Sequence, residues 1–450
     1  MLKRVMVTVL SAMVVLTGCG TGASTGSKES NAPKATQSST TDGNPTKVLF
    51  WHSMSGANQA NLEKIVNGFN ASQKEVVVVA ENQGSYDEST SKFFNMNGGA
   101  GRPSLIQIGE QNLQSMIDSQ LIEPVSNQVK DYNYKLDDLI PQVVNFYTVN
   151  KTLYAMPFNA SSPVLYYNVE ALKNAGYDKA PSTYEEILKA GPKIKASNNG
   201  MRAFTKPVYG YALDQMVTNM GGLVVNNANG RTSRTTEVAY QNEILTIFTW
   251  LHDLIKADQF VNYGKNIDNI VTGFYKKDIA MFISTSATAA KLVTSAPFEV
   301  GIAYLPHSEG KEPQGVYAGG GALVVSKGLP AKEREATMKF MQYATSAEVQ
   351  AVWAGDTGYF PINTKSFETN TMQAIYAKTP QLKVAADQFK NSKQTEATAG
   401  PLLSQLPQLR NDLQAAEEMV FNGKNPREAM DQAVANTNKQ IKKANESIKK

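Results

Sequence analysis

Between Lys47 and Leu121 the chain alternates short β-prone runs with stretches whose apolar residues recur at helical spacing. Val48-Leu49-Phe50-Trp51 is followed by Leu62, Ile65, Val66 and Phe69 on one helix face. "EVVVVA" from Glu75 to Ala80 is a continuous β-branched run, and Leu105-Ile106-Gln107-Ile108 precedes Leu113, Met116, Ile117 and Leu121. A strand buried on both faces reads as an unbroken apolar run, and strand–helix alternation predicts a parallel sheet covered by helices. The fold class is therefore α/β. At 450 residues the chain is long enough for two or more domains.

Later segments repeat this pattern in new territory. Thr183 and Glu186 form a capping-box pattern that opens a helix, which Gly191-Pro192 should kink or end. Ile244, Leu245, Phe248, Leu251 and Ile255 make one apolar stripe. "FYKKDIAMFISTSA" ends a helix and starts a strand, Phe298 to Ala303 alternates like a strand, and Ala322 to Ser326 reads as a buried one. The segment from Met430 to Lys450 is helical by propensity, with its lysines facing water. Two α/β lobes joined by several crossings would enclose a ligand cleft, since ligands bind between domains and hinges lie at element ends. "PFNASSPVLYYN" has the character of a crossing. Pro157 and Pro163 disfavour helix on both sides of Asn159-Ala160-Ser161-Ser162, leaving hydroxyls and backbone groups available before the strand Val164–Tyr167.

The first residues read as an export signal, with Met1-Leu2-Lys3-Arg4 before an apolar run from Val5 to Leu16 that is too short to span a bilayer. Leu16-Thr17-Gly18-Cys19 resembles a bacterial lipobox, in which cleavage leaves a lipid-bearing cysteine. Cys19 is the chain's one cysteine, so it has no disulfide partner and no second thiolate for a metal site. Removing residues 1–18 takes away Lys3 and Arg4, which lowers the formal charge from +4 to +2 and calls for neither nucleic acid nor an anionic surface. Thr21 to Pro45 is Ser/Thr/Gly/Asn/Ala/Lys-rich and reads as a flexible tether.

Catalytic constellations are thin. The three histidines, His52, His252 and His307, form no HExxH; there is no GxSxG elbow, no phosphate loop of the Walker type, and no metal or cofactor set. His252 belongs to a packed or surface helix, whereas His52 follows the first strand and could line a cleft. Gly319-Gly320-Gly321 before a strand allows backbone N–H groups close to an anion, or is a plain turn. Ser284-Thr285-Ser286 sits at a strand's C-terminal end, where α/β proteins bind ligands; an N-cap explains one of those hydroxyls equally well.

In order and spacing, "FWHSMSG", "GSYDEST", "IQIGEQN", "PFNASSPVLYYN", "FYKKDIAMFISTSA", "GGGALVVS", "TGYFPI" and "LPQLRNDL" resemble the landmarks of the sugar-type solute-binding proteins of ABC importers. Within that group the likeness is greatest to the glycerol-3-phosphate-binding proteins. The resemblance implies two lobes closing on a small ligand, delivery to a membrane permease, a monomer without cofactor, and no catalysis. It implies ligand contacts from Tyr86, Glu110, Ser161, Thr285 or Ser286, Gly321, Tyr359 and Arg410. Where the family lines its cleft with tryptophans, this chain has Tyr209 and Tyr211. That change weakens the case for a choline head group and keeps an oligosaccharide in play. A surface hydrolase is the remaining alternative.

The expected organisation is a signal over 1–18, a lipidated cysteine and tether over 19–46, a first lobe of 47–160 with about 293–345, and a second of about 161–292 with 346–450. The expected location is the extracytoplasmic face of the cell membrane, held by the lipid.

Overall fold

The computed structural model describes residues 44–129 and 131–448. Cys19, the signal and most of the tether lie outside them. Among the described residues, twelve strands run in chain order as β1 (Thr46–His52), β2 (Val76–Asn82), β3 (Leu105–Gly109), β4 (Ile122–Glu123), β5 (Thr148–Val149), β6 (Thr152–Leu153), β7 (Met156–Ser161), β8 (Pro163–Asn168), β9 (Arg202–Thr205), β10 (Ile279–Thr285), β11 (Val300–Ala303) and β12 (Gly319–Ser326). They form two principal sheets. One has the order β2-β1-β3-β12-β4, with β7 also pairing β12; the other has the order β11-β8-β10-β9. The strands β5 and β6 form a separate hairpin.

The expected parallel core is present where the sequence alternates: β1 pairs in parallel with both β2 and β3. β12, which returns from the other lobe, is antiparallel to β3, and β7, which leaves for it, is antiparallel to β12. The helix Gly56–Ser72 buries the four residues of its apolar stripe, Leu62, Ile65, Val66 and Phe69. The capping box at Thr183 and Glu186 forms, but the helix it opens runs from Tyr184 to Ser197 straight through Pro192. The residue before this proline is Gly191. A Cβ there would come within 2.0 Å of Gln259 Oε1, so the bare backbone is packed tightly against a buried side chain. The stripe on the helix Gln241–Lys256 is also rotated from expectation. Ile244, Phe248 and Leu251 are buried together with Ile247, Trp250 and Leu254, while Leu245 and Ile255 are half-buried.

The segment Pro157–Asn168 is a crossing in the strictest sense. β7 ends at Ser161 in the larger sheet, β8 begins at Pro163 in the smaller, and Ser162 alone lies between them. Ser162 is pinned from both sides: its N–H donates to Ser286 Oγ at 3.3 Å, and its carbonyl accepts from the Ser286 N–H at 2.9 Å. The Gln388 amide adds a bond to Ser162 Oγ at 3.2 Å.

Two expected lobe boundaries shift. β11 pairs β8, so residues 300–303 belong to the smaller sheet, and the second crossing lies between Ala303 and Gly319 rather than near 293. The helix Ala347–Thr357 packs on the helix Gly56–Ser72 beside the larger sheet, so the third crossing follows Thr357 rather than 345. It passes through Phe360, whose N–H donates to Ala160 O at 3.0 Å.

Candidate functional site

The two sheets meet around an ion cluster. Glu110 opens a short 3-10 turn directly after β3, and Arg410 lies in the helix Leu406–Phe421. Arg410 Nη1 is 2.8 Å from Glu110 Oε1, and Arg410 Nε is 2.7 Å from Asp214 Oδ2. The third nitrogen, Nη2, donates to the Tyr317 hydroxyl at 3.0 Å, and the guanidinium lies 5.4 Å from the centre of the Tyr211 ring. Arg410, Glu110 and Asp214 keep 8, 5 and 0% of their side-chain surface exposed. Asp412, two residues further along the same helix, accepts from Gln408 and Thr437.

Local sequence makes this approach possible. Asp214 sits in the helix Gly210–Asn219, every residue of which is buried. At its start, a Cβ on Gly210 would come within 2.5 Å of Arg410 Cβ, so glycine lets the two helices close to contact.

The electrostatics follow from burial. Desolvation pushes the Glu110 and Asp214 carboxyls above their ordinary values, with Arg410 opposing the rise in each case. Burial alone would lower the Arg410 guanidinium. Tyr317, Glu110 and Asp214 outweigh it and hold the group well above its usual value. Two carboxylates on one guanidinium leave the ionised cluster with one net negative charge.

Beside this cluster is a hydroxyl-rich half. Tyr86 opens the helix Tyr86–Met96, whose capping box joins Ser85 and Glu88. Its hydroxyl accepts from Asn159 Nδ2 at 3.0 Å, and Asn159 Oδ1 accepts from Gln107 Nε2 at 2.9 Å. Burial raises the Tyr86 phenol well above its ordinary value, so its own proton stays on and can be donated. Tyr359 is pushed up to about 12 by burial, with hydrogen bonds to Asn159 and Tyr86 opposing the rise. Its ring stacks on Trp353, which stacks on Phe158 of β7. Gly321 of β12 closes this half: a Cβ there would meet Ile108 O at 2.7 Å, Asn159 Oδ1 at 2.8 Å and Tyr86 OH at 2.9 Å.

The expected site residues thus gather from three crossings and both sheets. Ser161 is buried at the end of β7, and its carbonyl accepts from the Tyr211 hydroxyl at 3.4 Å. Both candidate hydroxyls after β10 carry structural bonds: Thr285 Oγ1 accepts from the Ala287 N–H as a cap, and Ser286 Oγ accepts from Ser162. Of the paired tyrosines, Tyr211 is buried and Tyr209 is 42% exposed. His52 is buried against Phe50 and accepts from the Met54 N–H through Nδ1 at 3.3 Å, which is a packing role. No cluster of His, Cys, Asp or Glu suited to a metal ion occurs among the described residues.

Sequence reasoning missed Asp214, Tyr317, and the buried Lys206–Glu417 ion pair, which anchors the segment before Tyr209 to the helix bearing Arg410. Asp214 did carry a signal, as a lone carboxylate among Tyr211, Leu213, Met216 and Val217.

The cluster draws on both sheets and three crossings. The family model for bacterial extracellular solute-binding proteins matches residues 64–384. The chain belongs to that family. Its members act by binding, as receptors of ABC importers, and not as enzymes. Among similar relatives, the sn-glycerol-3-phosphate-binding periplasmic protein UgpB of Yersinia pseudotuberculosis is 30% identical over 86% of this chain and 91% of its own length. The protein of the same name from Pectobacterium atrosepticum is 29% identical over 90% and 93%.

Two crystal structures have the same two-lobed fold. UgpB from Mycobacterium tuberculosis in complex with glycerophosphocholine has a TM-score of 0.74 at 19% identity, covering 88% of this chain and 97% of that one. The GacH receptor of Streptomyces glaucescens, solved unliganded and with acarbose, has a TM-score of 0.73 at 20% identity, covering 89% and 98%. No helix among the described residues of this solute-binding protein is long and apolar enough to cross a membrane.

Proposed function

We propose that this solute-binding protein captures glycerol 3-phosphate or a glycerophosphodiester and delivers it to its permease. The observation that carries the reading is Arg410, a buried guanidinium on the smaller-sheet lobe that reaches Glu110 at the end of a strand of the larger sheet. A phosphate oxygen replacing Glu110 on Arg410 gains charge-assisted bonds. The Tyr86 and Tyr359 hydroxyls supply further donors, and the released Glu110 accepts from glycerol hydroxyls. Because these groups come from both lobes, a ligand that bonds all of them favours the closed arrangement. The names of the relatives from Yersinia and Pectobacterium, and the glycerophosphocholine complex of a structural neighbour, support the same ligand class.

A second reading, an oligosaccharide, is favoured by one specific observation: the two carboxylates on Arg410 outnumber it, and carboxylates suit neutral polyols better than anions. Titration calorimetry with glycerol 3-phosphate, glycerophosphocholine and maltose separates the two. Saturable binding of the phosphate esters alone is expected, and binding of maltose alone refutes the phosphate reading while leaving the family intact.

Processing after Gly18 and lipid attachment at Cys19 complete the proposal, with residues 20–45 as a tether on the extracytoplasmic face and the folded part, from β1 at Thr46, working as a monomer. Metabolic labelling with palmitate tests the anchor: label is expected on the intact chain and not on Cys19→Ser, and label that survives the substitution refutes it.

A further inference from the structure

A pair of arginines lies away from the Arg410 cluster, in the loop Gly230-Arg231-Thr232-Ser233-Arg234-Thr235. This loop lines one side of a cavity of about 210 Å³ whose other walls include Gln114, Tyr154 and Ser404. Among the described residues, no carboxylate lining this cavity pairs with Arg231. Its Nη1 donates to Phe146 O at 2.9 Å and its Nε to Gly400 O at 3.0 Å, both neutral carbonyls. Its guanidinium lies 4.8 Å from the centre of the Phe146 ring. The remaining nitrogen, Nη2, is buried with no hydrogen-bond partner, and Thr235 Oγ1 in the same loop is likewise buried and unpartnered. No carboxylate among the described residues lines this cavity or the adjoining one that Arg231 also borders. Asp118 pairs with Arg234 at 3.6 Å and accepts from the Ser404 hydroxyl at the cavity wall, so among the described residues its charge is directed to Arg234 and not to Arg231. Burial alone lowers its pKa to about 10. A desolvated cation with spare donors is costly unless an anion joins it.

We propose that the Arg231 cavity is a second binding site, separate from the Arg410 cluster, that takes a small tetrahedral oxyanion of the phosphate or sulfate class. Arg231 provides the charge, beside Arg234 in its pair with Asp118, and the Ser233 and Thr235 hydroxyls provide short donors from the same loop, the Thr232 hydroxyl being already donated to Asn227 O. The loop belongs to the smaller-sheet side of the molecule, while Gln114 follows β3 of the larger sheet, so an anion held here would tie the two sides together. The site does not depend on which solute the Arg410 cluster takes.

The test is titration of the mature chain with inorganic phosphate, followed by phosphorus NMR and calorimetry, with glycerol 3-phosphate as a parallel arm to separate free phosphate from a phosphoester. Wild type should bind phosphate saturably, Thr235→Val and Arg234→Gln should each weaken it about tenfold, and Arg410→Ala should retain it. These two loop substitutions spare the carbonyl bonds of Arg231, so they report binding even if Arg231→Gln fails to fold. Preference for the ester in Arg410→Ala, lost when Thr235→Val is added, would make the occupant of this cavity a phosphoester and still support the site. Absence of saturable phosphate binding in wild type overturns the proposal. So does binding that is unmoved by both loop variants.

Discussion

Arg410→Ala removes the one cation that faces two buried carboxylates, and its consequences reach beyond ligand affinity. With Glu110 and Asp214 side chains 5 and 0% exposed, solvent does little to screen the charges left behind. Breaking a buried pair by deleting one partner costs about 3–5 kcal/mol. At about 2 cal/mol/K per residue over about 400 folded residues, that is a fall in Tm of about 4–6 °C near neutral pH. The loss carries a pH signature. Glu110 and Asp214 already have folded-state values above their ordinary ones, so the native state takes up protons before the unfolded chain does. For such groups stability is greatest below the unfolded carboxylate value and is lost as pH rises through the raised folded values. Without Arg410 to oppose the rise, this dependence steepens, and acid should restore much of what the substitution removes. Melting curves of wild type and Arg410→Ala from about pH 5 to about pH 8 measure it directly, with the gap between them widening as pH rises. A variant that melts within about 1 °C of wild type at every pH refutes the cluster as an energetic unit.

Gly321→Ala places a Cβ within 3 Å of three polar atoms of the site; a stability loss of about 1–3 kcal/mol with weakened ligand binding is expected in melting and calorimetry, and an unchanged protein would show that the approach is not tight. Lys206→Met alone strands the buried Glu417 and should cost about 3–5 kcal/mol, whereas Lys206→Met with Glu417→Leu should recover to within about 1 kcal/mol of wild type in denaturant unfolding; equal losses would reject the pairing. Burial lowers the His52 pKa from 6.5, so the native state resists protonation, and its contribution is intact above the unfolded value and lost as pH falls below it. The Tm of wild type should therefore drop more than that of His52→Asn between about pH 7 and about pH 5, and parallel curves would count against a neutral buried His52.

What could be read ahead of the structure depended on whether the signal was local. The crossing at Ser162 was legible because two prolines punctuate it and the composition changes across it. The stripe Leu62, Ile65, Val66 and Phe69 was legible because its helix has one buried face. On the helix Gln241–Lys256, packed by several neighbours, the same reasoning chose Leu245 and Ile255 in place of Ile247 and Leu254. The alternation in Val300–Ala303 identified a strand but not its sheet, since the partner Tyr166 is more than a hundred residues away and register is a tertiary property. The same limit governs the site. Glu110, Tyr86, Gly321, Tyr359 and Arg410 came through a resemblance of ordered segments, and the structure draws them to one place. Asp214 has no motif, and its one local sign is the apolar company of Tyr211, Leu213, Met216 and Val217. Its meaning comes from Arg410, 196 positions later, and from Gly210, which clears the space for that arginine. A buried carboxylate differs from a surface one only by the partner that offsets its desolvation. In this chain that partner is also the proposed ligand anchor, so the residue that sequence could not assign sets the charge against which any solute must compete.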